Sequence, residues 1–313
     1  LFTQYHGSTD IGDYSDSAKF FAGKYSADIR SSHSYLYGFV HSFFLKFFDS
    51  FFVFKITSLI CLFLIILSVF FISNKDKRAL WLILLSPVIW YMGPWISPIQ
   101  ISSLFFLWAW YFIEKYNQTT SLKFLAYSGT LIGFSWAFWD TILFFGIFLI
   151  LSFMYDKKLS HLGYISLFVL IGLLPRLILD QYFFCFAFFS ILKSSFGTLT
   201  NAFFLGRGSA YGGGLILNLL SFGLVFVSLP IFFWKNFHPK IFMENKKTMF
   251  FMILSLILIF INPQIRYTLT IIPIMMIILA RNLTNQSFEK QIKFSLIITL
   301  LFFLPIILQV FFV

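Results

Sequence analysis

Acidic side chains are scarce in this chain: 12 Asp and Glu stand among 313 residues, against 23 Lys and Arg. Charged residues of both signs amount to only 11%, where a soluble domain of this length carries about a quarter. That shortage excludes an ordinary water-soluble domain. Cysteine is nearly missing. Cys61 and Cys185 lie far apart in apolar surroundings, which excludes a disulfide framework and a cysteine-based zinc site and leaves two buried small side chains. The glycine-rich stretch Gly206 to Gly214 has no Gly-Lys-Ser/Thr and follows no strand pattern, so it is not a phosphate loop; it is a candidate gate. Strict polar–apolar alternation is absent from the long runs, which excludes a membrane β-barrel. No basic segment followed by an apolar one opens the chain, so Leu1 does not begin a signal peptide. A first membrane helix is expected upstream of it.

What is abundant is apolar surface. Hydrophobic residues make up 59% of the chain, with 48 Phe. Repeated apolar runs near 20 residues predict an all-α, polytopic transmembrane helix bundle. About ten spans are expected, near 51–73, 79–95, 98–114, 122–139, 141–155, 161–178, 214–234, 248–262, 267–281 and 293–312. The bundle then occupies 51–313, with a long external loop at 179–213 whose first half, Tyr182 to Leu192, reads as an interfacial or re-entrant helix.

Residues 1–50 form a separate first external loop. Tyr14, Ala18, Phe21, Ala22 and Tyr25 recur at helical spacing, so a short amphipathic helix is expected there, capped by Asp10. A second stretch, 34–48, puts Leu36, Phe39, Val40, Phe43, Phe44, Phe47 and Phe48 on one face. It is too short and too one-sided to span, and is expected to lie in the bilayer interface.

Charge sets the orientation. The connections holding Lys75, Lys77, Arg78, Lys115, Lys123, Lys157, Lys158, Lys235, Lys240, Lys246 and Lys247 are strongly basic, whereas the opposite set is nearly balanced. The basic side is expected in the cytoplasm. The first loop, 175–213 and 262–267 then face the periplasm, exterior or lumen. The net charge of +11 is thus a topology signal and does not call for a nucleic-acid partner. The sequons at Asn117 and Asn282 fall on the cytoplasmic side and are expected unmodified.

Ionisable groups at a membrane edge are costly, and are functional candidates by default. Asp10, Asp13 and Asp16 gather within seven positions of the first loop, whereas arginines stand in later connections as Arg176, Arg207 and Arg266. Carboxylates serve as general bases, and arginines hold phosphate through paired N–H groups. Asp140, between Trp139 and Thr141, stands at the outer end of a span pair as a site residue or the partner of a nearby arginine. His33 is a further candidate. Asp10 and Asp13 alone make a poor metal ligand set, so no metal or other cofactor is indicated.

Asp10-Ile11-Gly12-Asp13-Tyr14, followed by Ala18 and Gly23, resembles the first external loop of the GT-C superfamily, polytopic glycosyltransferases that use polyprenyl-phosphate-linked sugars. Protein O-mannosyltransferases and the lipid A aminoarabinose transferase are of this kind. Arg266-Tyr267 with Pro273 resembles a later segment of the same superfamily. Ile11 departs from the pattern, since Glu often follows the first Asp, and the C-terminal soluble domain of some members is not expected within these 313 residues. The resemblance implies an inverting transferase in the cytoplasmic or endoplasmic-reticulum membrane, with its site on the extracytoplasmic or luminal side. Its donor would be a polyprenyl-phosphate sugar and its acceptor a lipid, glycan or protein hydroxyl. Asp10 would be the base and Asp13 a second carboxylate. Arg266 with Tyr267 would hold the phosphate, with Arg207 and Arg176 as further candidates. From the residues alone, Asp10 is equally a helix cap. A transporter or flippase and another membrane transferase, of the O-antigen ligase or acyltransferase type, are the rival readings.

Overall fold

The computed structural model describes residues 11–24, 35–93, 95–199, 243–261 and 265–312. Among these the chain is entirely helical, with 13 α-helices, one 3-10 helix and no strand. In order they are α1 (Ile11–Phe21), α2 (Tyr35–Ser42), α3 (Ser50–Ile72), α4 (Lys77–Leu84), α5 (Pro87–Met92), α6 (Ile99–Thr119), α7 (Leu122–Phe138), α8 (Ile142–Met154), α9 (Leu159–Phe184), α10 (Phe189–Leu199), α11 (Lys246–Ile261), the 3-10 helix Ile265–Thr270, α12 (Ile272–Asn282) and α13 (Asn285–Phe312).

Two helices, Phe51–Ile72 and Leu159–Phe184, are long and apolar enough to cross a membrane. Several of the expected runs take other forms. The run at 79–95 breaks into α4 and α5 at Ser86–Pro87, because Pro87 has no N–H to continue the ladder and sits instead at the first turn of a new helix. The run at 267–281 begins as the 3-10 helix and becomes α-helical only at Ile272. α9 continues to Phe184, into the stretch expected to be loop. Its reason is local: Leu177, Ile178 and Leu179 keep the run apolar, and Asp180 finds partners inside the protein. The expected span at 214–234 and the glycine-rich stretch lie outside the described residues.

α12 is buried from Ile272 to Ala280 on every side, as suits a helix that is apolar all round. α3, α4, α6 and the 3-10 helix pack on it. The tightest helix pair is α7 with α9. Gly129 and Gly133 on α7 meet α9 so closely that a Cβ on Gly133 would lie 2.1 Å from the Val169 carbonyl oxygen. Gly172 answers from α9, where a Cβ would lie 2.1 Å from the Thr130 carbonyl oxygen. Small residues four apart let two helix backbones approach in this way. α6 joins α7 through a reciprocal pair: Ser102 Oγ donates to the Ser135 carbonyl at 3.0 Å, and Ser135 Oγ donates to the Ser102 carbonyl at 2.7 Å.

The first-loop helices pack against the bundle. Tyr14 and Ala18 of α1 are buried, as their spacing predicts, and the Tyr14 and Tyr37 rings meet edge to face at 5.5 Å. Gly38 is required here, since a Cβ would lie 2.7 Å from Ser17 Cβ. The expected interfacial face divides in two. Leu36 is buried in the core beside α1, whereas Phe43, Phe44, Phe47 and Phe48 are exposed in the turns after α2. His41 fastens α2 to α3: Nδ1 lies 2.7 Å from the Tyr37 carbonyl and Nε2 lies 3.0 Å from the Thr57 hydroxyl. Burial pushes His41 down to about 4, against the opposing pull of the Tyr37 bond, so the ring is neutral at pH 7.

Candidate functional site

One end of the bundle holds a buried polar knot built from four elements. α7 ends at Phe138, and the extended backbone of Trp139 turns the chain so that Asp140 heads α8. Arg176 and Asp180 stand four apart on α9 and therefore share a face. α9 stops at Cys185, whose left-handed conformation (φ 55°) reverses the chain. α10 then returns with Ser190 and Ser194, again four apart, against that face.

The bonds form a continuous circuit. Arg176 Nη1 donates to Asp140 Oδ1 and, at 3.3 Å, to the Trp136 carbonyl. Arg176 Nε donates to Ser190 Oγ at 2.8 Å. Ser190 in turn donates to Asp180 Oδ2 twice, from Oγ at 2.7 Å and from its backbone N–H at 2.8 Å. Ser194 Oγ donates to Asp140 Oδ2 at 2.7 Å. Arg176, Asp180 and Ser190 are each 0% exposed. Two atoms are left over: among the described residues, Arg176 Nη2 and Asp180 Oδ1 are buried with no hydrogen-bond partner. The knot therefore contains one guanidinium, two carboxyl groups, one orphaned donor and one orphaned acceptor. Orphaned buried polar groups cost about 1–3 kcal/mol each, more when charged, and such an arrangement persists where something else requires it.

The first loop reaches this knot through Tyr35. Tyr35 is buried, and its ring stacks on Phe184 with centroids 5.2 Å apart. Burial pushes its hydroxyl up to about 12; the Asp180 charge adds to the rise, Arg176 opposes it, and Asp13 adds a smaller push. Asp13 and Asp180 thus act electrostatically on one phenol, although they lie in the first loop and in α9. Phe20 and Phe21 of α1 also pack on Phe183 of α9, with centroids 6.0 and 4.9 Å apart.

The late motif adjoins the same end. Tyr267 is buried with its ring 5.3 Å from that of Trp139, the neighbour of Asp140. Arg266 is half-buried with its guanidinium 5.8 Å from the Tyr267 ring centroid. Of the candidates read from the sequence, Asp140 and Arg176 meet in an ion pair, Asp13 acts with Arg176 on the Tyr35 hydroxyl, and Tyr267 touches the residue beside Asp140. Asp10, His33 and Arg207 lie outside the described residues.

Three residues of the site are not singled out by the sequence: Ser190, Ser194 and Tyr35. For Asp180 the charge itself is the signal, as an ionisable group at the outer edge of an apolar run. The serines gave none, because their role depends on the reversal at Cys185. Among the described residues no group of three or more His, Cys, Asp or Glu could hold a metal ion.

Comparison with models of protein families, with curated proteins and with solved structures returned no match.

Proposed function

We propose that this chain is a polytopic membrane glycosyltransferase that moves a sugar from a polyprenyl-phosphate donor to an acceptor hydroxyl at the extracytoplasmic or luminal face. The observation that carries the reading is the convergence of Asp13, Tyr35, Asp140, Arg176 and Asp180 at one end of the bundle, with Tyr267 and Arg266 beside them. A bilayer setting is supported by outward-facing apolar surface. Only 28% of the spanning window of α9 and 44% of that of α3 is buried, whereas the core helix of a soluble protein is mostly buried. Leu167, Leu170, Leu174 and Ile178 of α9 are exposed, as are Ile253 and Ile257 of α11 and Ile297, Leu300 and Leu301 of α13. About ten spans, counting 214–234, belong to this reading.

In the proposed reaction the acceptor oxygen attacks the anomeric carbon and its proton passes to the Asp10 carboxylate. The bond from that carbon to the lipid phosphate breaks, and the configuration inverts. Arg266, with Arg207, neutralises the charge that grows on the departing phosphate, which is where fixed cations accelerate such a step. Arg176 is committed to Asp140 and Ser190, so its part is to hold the two carboxyl groups in place. Asp13 is the second carboxylate of the loop, and His33 is a further candidate in the same loop of the sequence.

The test is transfer from a radiolabelled polyprenyl-phosphate sugar by purified protein in lipid. Asp10→Asn should abolish transfer while the thermal unfolding profile is kept. Undiminished transfer would remove Asp10 as the base, and no transfer by the wild-type chain from any such donor would sink the reading.

A further inference from the structure

We propose that Arg176 Nη2 and Asp180 Oδ1 form a recognition pair for a hydroxyl of a neutral polyol, with α10 as the wall that closes over it. The inference deepens the transferase reading, and rests on it only for the statement that the polyol is the sugar.

The protein itself displays the chemistry that fits. On one side of the Arg176–Asp180 pair a hydroxyl already bridges the two groups. Ser190 Oγ accepts from Arg176 Nε at 2.8 Å and donates to Asp180 Oδ2 at 2.7 Å. The two remaining atoms repeat the same demand. Arg176 Nη2 has a proton to give and Asp180 Oδ1 has a lone pair to fill, and both are buried without a partner. A hydroxyl is the small group that accepts and donates at once. Hydroxyls, single or paired on adjacent carbons, are the groups whose chemistry answers both atoms.

Charge excludes the other ligand classes. The guanidinium is already neutralised by Asp140, and Asp180 adds a second carboxyl group. An anion placed here would meet more negative than positive charge in a medium where Coulomb terms are large. A cation would satisfy Asp180 and leave Arg176 Nη2 orphaned beside it. An apolar group would leave both atoms orphaned.

Access runs along α10. Among the described side-chain bonds, α10 is held to the knot by the Ser190 and Ser194 hydroxyls and one backbone N–H. It joins α9 through the short elbow after Cys185. The proposed opening movement lies at that elbow, which leaves α9 intact.

The experiment measures binding to the intact chain in lipid nanodiscs, by thermal unfolding and by the fluorescence of Trp136 and Trp139 beside the knot. The probes are a methyl hexopyranoside, tetrahydropyran as the ring without hydroxyls, and sodium phosphate. A saturable response to the pyranoside alone is expected, with affinity at least tenfold weaker in Asp180→Asn. A saturable response to phosphate, an equal response to tetrahydropyran, no saturable pyranoside response by folded wild type, or unchanged affinity in Asp180→Asn each overturns the proposal. If Asp180→Asn fails to fold, the wild-type probe series decides. Pyranoside binding without transfer from a lipid-phosphate sugar would sink the transferase reading and keep the site. Transfer with no pyranoside response would do the reverse.

Discussion

The two ends of the bundle handle charge in opposite ways. At the end bearing the first loop, one arginine bonds Asp140 directly and Asp180 through Ser190, largely out of solvent, and two atoms stay unsatisfied among the described residues. At the other end the pairs are separate and open. Arg281 meets Glu114 at 3.2 Å with side chains 35% and 19% exposed, and Lys247 meets Asp156 at 2.7 Å with side chains 21% and 43% exposed. Arg78 bonds Asp76 and also donates to the Leu283 carbonyl at 3.1 Å. The open end joins helix ends as ordinary surface electrostatics does. The buried end holds charge where it is costly and incompletely answered, which is the condition of a binding site more than of a fastening.

The sharpest way to break this contrast is Arg176→Met. Removing the guanidinium strands the buried Asp180 and the half-buried Asp140, and breaking a buried ion pair costs about 3–5 kcal/mol. Thermal unfolding should fall far below wild type. The matching change at the open end, Arg281→Gln, should cost about 0–1 kcal/mol. Equal losses would erase the distinction.

Gly133→Leu tests the frame that presents Arg176. A side chain that begins 2.1 Å from the Val169 carbonyl must force α7 and α9 apart, and overpacking of this kind costs about 1–3 kcal/mol or more. It should also disturb the bond from Arg176 to the Trp136 carbonyl, read as altered tryptophan emission. Unchanged stability and emission would show that the close approach is dispensable.

Ser190→Ala separates the circuit from the ion pair. It removes the bridge between Arg176 Nε and Asp180 Oδ2 but keeps the Asp140 contact. The expected loss is about 1–3 kcal/mol in thermal unfolding. A neutral result would mean that the serine is a bystander.

The smallest effect is expected from pH at the open end. The hydrogen bond from Lys247 holds the Asp156 carboxyl below the usual carboxylate range. A depressed folded value stabilises the protein above the unfolded value, near pH 4, and the contribution disappears as pH falls through the folded one. Wild type should therefore exceed Asp156→Asn by less than about 1 kcal/mol at pH 7, and the gap should close on acidification. A gap that widens towards acid would reverse the sign and refute the pairing.

Some of this was legible in the residues. Tyr14 and Ala18 were read as one buried face of α1, and they are. Asp140 was read as a site residue or an arginine's partner, and it pairs with Arg176. The tight α7–α9 contact could have been read from Gly129 and Gly133, four apart in an apolar helix, but was not. The break at Ser86–Pro87 was missed because hydropathy alone ran through it. The convergence of Asp180 with Ser190 was not readable, since ten residues and a reversal separate them.

The sequence by itself determined the helical class and the places of most of the described helices. Apolar run length, periodicity and charge are local quantities, and they act through the immediate surroundings of each segment. Only the tertiary structure decided which polar groups meet. That depends on how close α7 lies to α9, on the turn at Trp139 and on the left-handed residue at Cys185, each of which sets a distance between segments that no single segment encodes.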